Sequence, residues 1–103
     1  MARMLVIYKT PQDTAAFDKH YFEVHIPLAK QLPGLRKYEV SRGPVTVMAG
    51  GEVYLVGTLY FDDLDAIRAA FASEAGKACA ADRKIFAPDP TMFQMFLFED
   101  RAV

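Results

Sequence analysis

His25 is the residue whose type and position most directly suggest chemistry. It lies in the stretch HYFEVHIPLAKQLPGL, residues 20–35, two residues before a proline that interrupts a helix. An imidazole beside a pocket could accept or donate a proton near neutral pH. Tyr21 lies four residues earlier on the same helix face, and its phenol could line the same cavity. The structural alternative is a histidine that hydrogen-bonds a free carbonyl at the helix end.

Three further side chains carry reactive groups but weaker signals. His20 lies five residues before His25, so the two do not form a metal pair on one α-helical face, and no third ligand supports a metal site. We expect His20 to be a solvated or a hydrogen-bonded surface residue. Asp82 is either a helix-surface carboxylate or one oriented toward the pocket or a partner subunit. Cys79 lies among small residues with no histidine nearby in sequence, which favours a buried apolar role.

Motifs for nucleotide-dependent and serine-based chemistry are missing. The chain has no GxGxxG after a strand, no GxxxxGK[ST], no CxxC and no GxSxG. What remains is a dry, aromatic-lined site with one or two ionisable groups and no cofactor. Such a site suits proton transfer on a hydrophobic molecule, or binding without chemistry.

The composition predicts one domain, residues 1–103, with more apolar surface than a small core needs. Of these residues 52% are hydrophobic, and the formal net charge is −1. The basic residues are scattered, so nothing indicates nucleic-acid binding. No stretch resembles a secretory signal or a membrane span, and a single cysteine cannot form an internal disulfide. A cytoplasmic protein with a pocket or a subunit interface is expected.

Hydrophobic periodicity predicts four strands, at residues 3–9, 35–43, 53–61 and 91–99, with residues 45–48 as a possible extension of the second.

Two helical regions separate these strands. The first is predicted to start around Thr10, Pro11 and Asp13 and to run to Val24, with a break or kink near His25 because of the following proline. The second is capped by Asp62 or Asp63, interrupted at residues 73–76, and continued to Phe86.

The resulting order, β-α-β-β-α-β, is that of a ferredoxin-like α+β fold with a four-stranded antiparallel sheet and helices on one face. Both faces of the sheet are apolar. In the third strand Leu55 and Leu59 alternate with Tyr54, Val56 and Tyr60, whereas a sheet with one wet face would alternate apolar with polar residues. Since the helices cover one face only, we expect a homodimer that covers the other.

Three stretches resemble the EthD family, which is named for a component of bacterial ethyl tert-butyl ether degradation: HIPLAKQLPGLRKYEVSRGP, YLVGTLYFDDLDAI and GKACAADRKIFA. The similarity extends from Leu5 to about Phe98. It implies a dimeric α+β barrel in which His25 is the motif histidine. It also implies that Asp82 and Phe86 match a recurrent Asp-x-x-x-Phe element.

The resemblance also guides the functional hypotheses. In relatives of this fold, cofactor-free monooxygenases, lactone isomerases and polyketide cyclases use the cavity between helices and sheet. EthD-like proteins mostly lack an established reaction, and no flavin or nicotinamide motif justifies the name reductase that they often receive.

We therefore expect a small protein of bacterial catabolism that binds a hydrophobic organic molecule and could transform it by proton-transfer or oxidoreductase-type chemistry. His25 would be the general base, Tyr21 would orient the substrate or stabilise an oxyanion, and Asp82 would contact the ligand. Three residues would supply apolar walls: Phe17, Tyr38 and Phe86. The alternatives are a non-catalytic binding module and an accessory dimer that supports a partner oxygenase.

Overall fold

Four antiparallel strands form a single sheet in the computed structural model, which describes residues 1–103. The strands are β1 Ala2–Tyr8, β2 Lys37–Val40, β3 Leu55–Phe61 and β4 Phe93–Glu99. Their order across the sheet is β2-β3-β1-β4, so the first and third strands of the chain lie in the middle. This is the ferredoxin-like topology that the sequence predicts.

The helical segments lie between these strands and cover one face of the sheet. They are α1 Thr14–His20, a π-helical turn Tyr21–His25, α2 Ile26–Ala29, α3 Leu64–Ala72, α4 Glu74–Phe86 and a short 3₁₀ turn Pro90–Met92. Alternate residues of β1 and β3 point toward them and are buried, which matches the two-residue period of a strand. The core lies in this layer, with Tyr21, Phe61 and Ile67 as its largest fully buried side chains.

Some predicted boundaries are wrong for identifiable reasons. The first helix begins three residues after Pro11, because the carboxylate of Asp13 accepts a hydrogen bond from the backbone N–H of Ala16 and caps it. The second strand ends at Val40. Beyond it Gly43 has a positive φ of 70°, and Pro44 has no N–H for a strand ladder.

The first helical region is distorted near His25, where a break or kink was predicted, but it continues beyond this point. The chain widens into the π-helical turn, in which the N–H of Ile26 bonds the carbonyl of Tyr21 five residues earlier. Helical structure then continues as α2, with Pro27 in its first turn. Pro27 has no N–H for an α-helical bond, and its ring would clash with the carbonyl of residue 23 in a regular helix. His25 therefore lies inside a continuous helical segment rather than at its end.

The face of the sheet away from the helices is uncovered in one chain. Strand register places five apolar side chains there: Leu5, Ile7, Val56, Phe96 and Phe98. The two phenylalanines of the edge strand β4 are 42% and 38% exposed. We refer to this surface as the open face.

Close contact between α3 and α4 depends on the absence of a side chain at Gly76. Ser73 ends α3 and begins α4, and its hydroxyl oxygen accepts a hydrogen bond from the N–H of Gly76. A Cβ at Gly76 would overlap the carbonyl oxygen of Ala70 and the Cα of Phe71. Because both are backbone atoms, rotation of a side chain cannot relieve the overlap.

We expect Gly76→Ala to lower the free energy of unfolding by at least about 1–3 kcal/mol, the usual cost of overpacking a core. Urea unfolding would measure this change. The control is Gly51→Ala, where nothing lies within 4 Å of an added Cβ and the φ angle is not positive. Equal stabilities of the two variants would contradict the packing argument.

Candidate functional site

A cavity of about 80 Å³ lies between the helices and the sheet. Twelve of its fourteen lining residues are hydrophobic, and the other two are His25 and Arg83. Tyr8, Tyr21 and Tyr38 also line it, so phenol groups face an otherwise apolar space. We call this space the inner cavity. Tyr21 and His25 both belong to the π-helical turn and line the same cavity, as their spacing predicted.

A buried carboxylate links two histidines beside the inner cavity. Nδ1 of His25 lies 2.9 Å from Oδ2 of Asp82, and Nε2 of His20 lies 2.8 Å from Oδ1 of the same side chain. His25 is 9% exposed and Asp82 is 6% exposed. We call these three residues the His-Asp-His cluster. His20 is partly exposed and hydrogen-bonded, as expected, although its contact with Asp82 was not predicted. Asp82 is not a helix-surface carboxylate.

The π-helical turn explains why both histidines reach one carboxylate. On a regular α-helix, residues five apart project about 140° from each other, which led us to separate His20 from His25. In a π-helical turn the backbone hydrogen bond spans five residues instead of four, and the wider turn brings positions five apart closer to one face. Asp82 meets them from α4 on the opposite side. The helix-end alternative for His25 is also wrong, since its ring bonds Asp82 instead of a free carbonyl.

The hydrogen bonds with Asp82 determine which nitrogen of His25 is available. An ionised carboxylate only accepts hydrogen bonds, so Nδ1 of His25 must carry the donated hydrogen. Nε2 then holds a lone pair; it has no hydrogen-bond partner in the chain and is not sealed from solvent. Burial lowers the pKa of His25, and the hydrogen bond that it donates to Asp82 offsets this effect in part. His25 is therefore a neutral base near neutral pH.

Tyrosine hydroxyls are the other polar groups at the inner cavity. The hydroxyl oxygens of Tyr21 and Tyr38 lie 2.6 Å apart and hydrogen-bond to each other. Burial raises the pKa of Tyr38 to about 12 and raises the pKa values of Tyr8 and Tyr21 further. All three phenols thus stay protonated and can donate. The Tyr8 hydroxyl has no hydrogen-bond partner in the chain and is not sealed from solvent.

Phe17 and Phe86 do not line the inner cavity, although we expected them to supply its walls. Together with His20 they line a larger and more open groove of about 620 Å³ on the other side of the cluster. We call it the outer groove. Phe86 packs against both imidazoles, with ring centroids 4.7 Å from His25 and 5.5 Å from His20. Its contribution is to hold the histidine rings in place.

Cys79 lines the inner cavity as a buried residue, and burial raises the pKa of its thiol. A protonated thiol is a weak nucleophile. Its position agrees with the apolar role predicted from the sequence. No group of three or more histidine, cysteine or acidic side chains is arranged to hold a metal ion.

The depressed pKa of His25 predicts how stability depends on pH. Its folded-state pKa lies below the ordinary value of about 6.5, so the unfolded chain binds a proton at this residue more readily. The free energy of unfolding should therefore decrease as the pH falls below about 6.5. We expect the thermal midpoint in calorimetry to fall less for His25→Asn than for the unmodified chain over this range. Identical pH dependence in the two proteins would contradict the assignment.

Comparison with known proteins identifies the family. The EthD domain profile matches residues 9–90, which is most of the chain. The chain belongs to the EthD family. An EthD family protein of Bacillus halodurans has a solved structure with a TM-score of 0.87 and 33% sequence identity, covering 98% of this chain and 99% of its own.

Two further comparisons extend this picture. A Rhodococcus erythropolis protein, an uncharacterized 11.0 kDa protein in the thcB-thcC intergenic region, is 34% identical over 87 residues, or 84% of each chain. A dimeric ferredoxin-like protein of unknown function from Thermobifida fusca has a TM-score of 0.68 at 18% identity, covering 94% of this EthD chain and 88% of its own. The last similarity shows the shared fold. None of the EthD chain's helices combines the length and apolar character needed to cross a membrane.

Proposed function

We propose that this EthD protein is a cofactor-independent enzyme that removes a proton from a small, mainly apolar molecule, with His25 as the general base. The observation that carries the proposal is the Asp82–His25 hydrogen bond of 2.9 Å beside the inner cavity. A carboxylate on Nδ1 orients the imidazole, fixes its tautomer and stabilises the imidazolium that forms when Nε2 takes a proton. Two residues of the chain thereby form a base at the edge of an apolar space.

The lining of the cavity supports a particular class of substrate. A mainly apolar wall selects an apolar molecule, while His25 requires an acidic hydrogen on it. Removing a proton next to a carbonyl group places negative charge on the carbonyl oxygen. The free hydroxyl of Tyr8 could donate to that oxygen, and the Arg83 guanidinium, which also lines the cavity, favours the anion. We infer that the substrate is a carbonyl compound or a phenol.

Cavity size limits how much of the substrate is enclosed. The volume of about 80 Å³ compares with ~150 Å³ for an engineered apolar cavity that accepts benzene. A small ring, or the reacting end of a longer molecule, would fill it. A larger substrate must extend through an opening.

A non-catalytic binding protein is the second candidate. The apolar lining favours it, because that lining would hold a hydrophobic molecule whether or not a proton moves. The two functions differ in the part that His25 plays. Binding depends chiefly on the walls, whereas proton transfer needs the lone pair on Nε2.

We expect His25→Asn to abolish proton transfer without unfolding the protein. The asparagine amide can still donate to Asp82 in place of Nδ1–H, but it has no counterpart to Nε2. Cyclopentanone is a suitable probe, since deuterium exchange at its α-carbons in D₂O reports proton removal directly by NMR. The unmodified chain should accelerate exchange about 10²- to 10⁴-fold over the variant, the usual contribution of general base catalysis.

Two controls separate the alternatives. Thermal unfolding of His25→Asn shows whether the fold survives, and chemical-shift titration with cyclopentanone shows whether the cavity still binds. Saturable binding with equal exchange rates in the two proteins would refute the enzymatic proposal and support the binding protein.

We also propose that the chain forms a homodimer through the open face. Leaving large apolar side chains in water costs roughly 1.5–3 kcal/mol each relative to burying them. A second copy offers the same apolar surface, and in a twofold dimer the same patch of both subunits meets. The dimeric ferredoxin-like relative from Thermobifida fusca is consistent with this arrangement.

Replacing Phe96 with glutamate should produce monomers. The residue lies on the open face, and a charge there would be buried without a partner in a dimer. Ile85→Glu is the matched control, because Ile85 is an exposed apolar residue of α4. Sedimentation velocity should give a dimer for the unmodified chain and for the control. A monomeric unmodified chain, or a dimeric Phe96→Glu protein, would contradict the proposal.

A further inference from the structure

His20 contacts the carboxylate partner of His25 without lining the inner cavity. Its ring lines the outer groove and stacks on Phe86, and its side chain is 28% exposed. The one hydrogen bond that it makes to the cluster joins Nε2 to Oδ1 of Asp82 at 2.8 Å. Any influence of His20 on a molecule in the inner cavity must therefore pass through Asp82 and His25.

Asp82 depends on both histidines for its hydrogen bonds. Each carboxylate oxygen has one side-chain donor, His25 for Oδ2 and His20 for Oδ1. A buried carboxylate that loses a donor is destabilised in its ionised form, because burial limits the water that could replace the lost hydrogen bond. The π-helical turn brings the second donor to it, and a regular α-helix would not.

We propose that His20 is a positioning residue: its Nε2–H keeps Asp82 ionised and oriented, and so keeps His25 free to accept a proton at Nε2 near neutral pH. The direction of the effect follows from charge. The hydrogen bond from His20 stabilises the state with a negative carboxylate and a neutral His25 more than the state in which the pair has gained a proton. Losing the donor must then raise the pH at which the Asp82–His25 pair takes up its proton.

Apart from His20, the titratable and charged groups around the Asp82–His25 pair keep one charge state near neutral pH. Those that face it are Tyr8 on β1, Tyr21 on the π-helical turn, Tyr38 on β2, and Cys79 and Arg83 on α4. Burial raises the pKa values of the phenols and the thiol, so they stay neutral. Arg83 remains a constant positive charge. A shift in the titration of His25 therefore reports on Asp82 and His20.

The test compares His20→Phe with His20→Gln by ¹⁵N NMR titration of the imidazoles. Phenylalanine preserves the stacking on Phe86 but donates no hydrogen bond, whereas the glutamine amide can replace Nε2–H. The chain has two histidines, so each variant leaves one imidazole signal, that of His25. We expect its titration midpoint to rise by about one to two pH units in His20→Phe, as loss of one charge-assisted hydrogen bond implies. In His20→Gln it should stay within a few tenths of a unit.

An unchanged midpoint in His20→Phe, or an equal rise in both variants, would overturn the proposal. If His20→Phe does not fold, the ¹⁵N shifts of the unmodified chain still decide the matter. They must show His20 protonated at Nε2, and a hydrogen on Nδ1 with Nε2 bare would refute the donor role.

The consequence for turnover rests on the proposed function, but the NMR measurement does not, since it needs no substrate. If His25 is the base, His20→Phe should shift the acid limb of cyclopentanone exchange to higher pH by the same amount. The rate at neutral pH should fall while half-saturation by cyclopentanone stays unchanged. A shifted NMR midpoint in a protein without exchange activity would leave the role of His20 intact and refute the proposed function alone.

Discussion

The buried carboxylate of Asp82 is the constraint on which the rest of the site depends. An ionised group with so little exposure survives only when donors surround it, and both of its oxygens bond an imidazole. Those bonds tie α4 to the helical segment that contains α1 and the π-helical turn. The same contact that joins two elements of the fold also sets the tautomer of His25 and leaves Nε2 available to accept a proton. The Asp82–His25 hydrogen bond thus stabilises the fold and prepares the base.

A single proline connects this contact to the sequence. Pro27 is incompatible with a regular helix at the position it occupies, and the chain adapts by widening one turn instead of ending. The widened turn changes which residues share a face, so His20 joins His25 on Asp82. Single π-helical turns inside α-helices are frequent at functional sites, where the changed register alters which side chains share a face. In this protein the benefit is a second donor for a buried charge.

Much of the fold follows from local patterns, whereas the cluster does not. Short-range signals include the alternation along β1 and β3, the cap at Asp63 and the interruption around Ser73. The element order predicted from them is correct. His25 and Tyr21 also stand out, because an ionisable group beside a proline is visible in sequence. The shared carboxylate contact of His20 and His25 was not predicted, because an α-helical period of 3.6 residues places them on different faces and no local pattern indicates a π-helical turn. Asp82 is fifty-seven residues from His25, so only the tertiary contact could assign it.

Separation of the inner cavity from the open face has a functional consequence. The helix side of the sheet holds the cluster and the cavity, while the opposite side presents apolar side chains that have no role in either. Assembly through the open face would bury that surface without blocking His25. The sheet would then serve both layers at once: alternate residues of β1 face the cavity through Met4, Val6 and Tyr8, and a partner through Leu5 and Ile7. In such a dimer, a strand with apolar residues on both sides would satisfy two separate requirements, and this would explain why the alternation expected of a half-exposed sheet is missing.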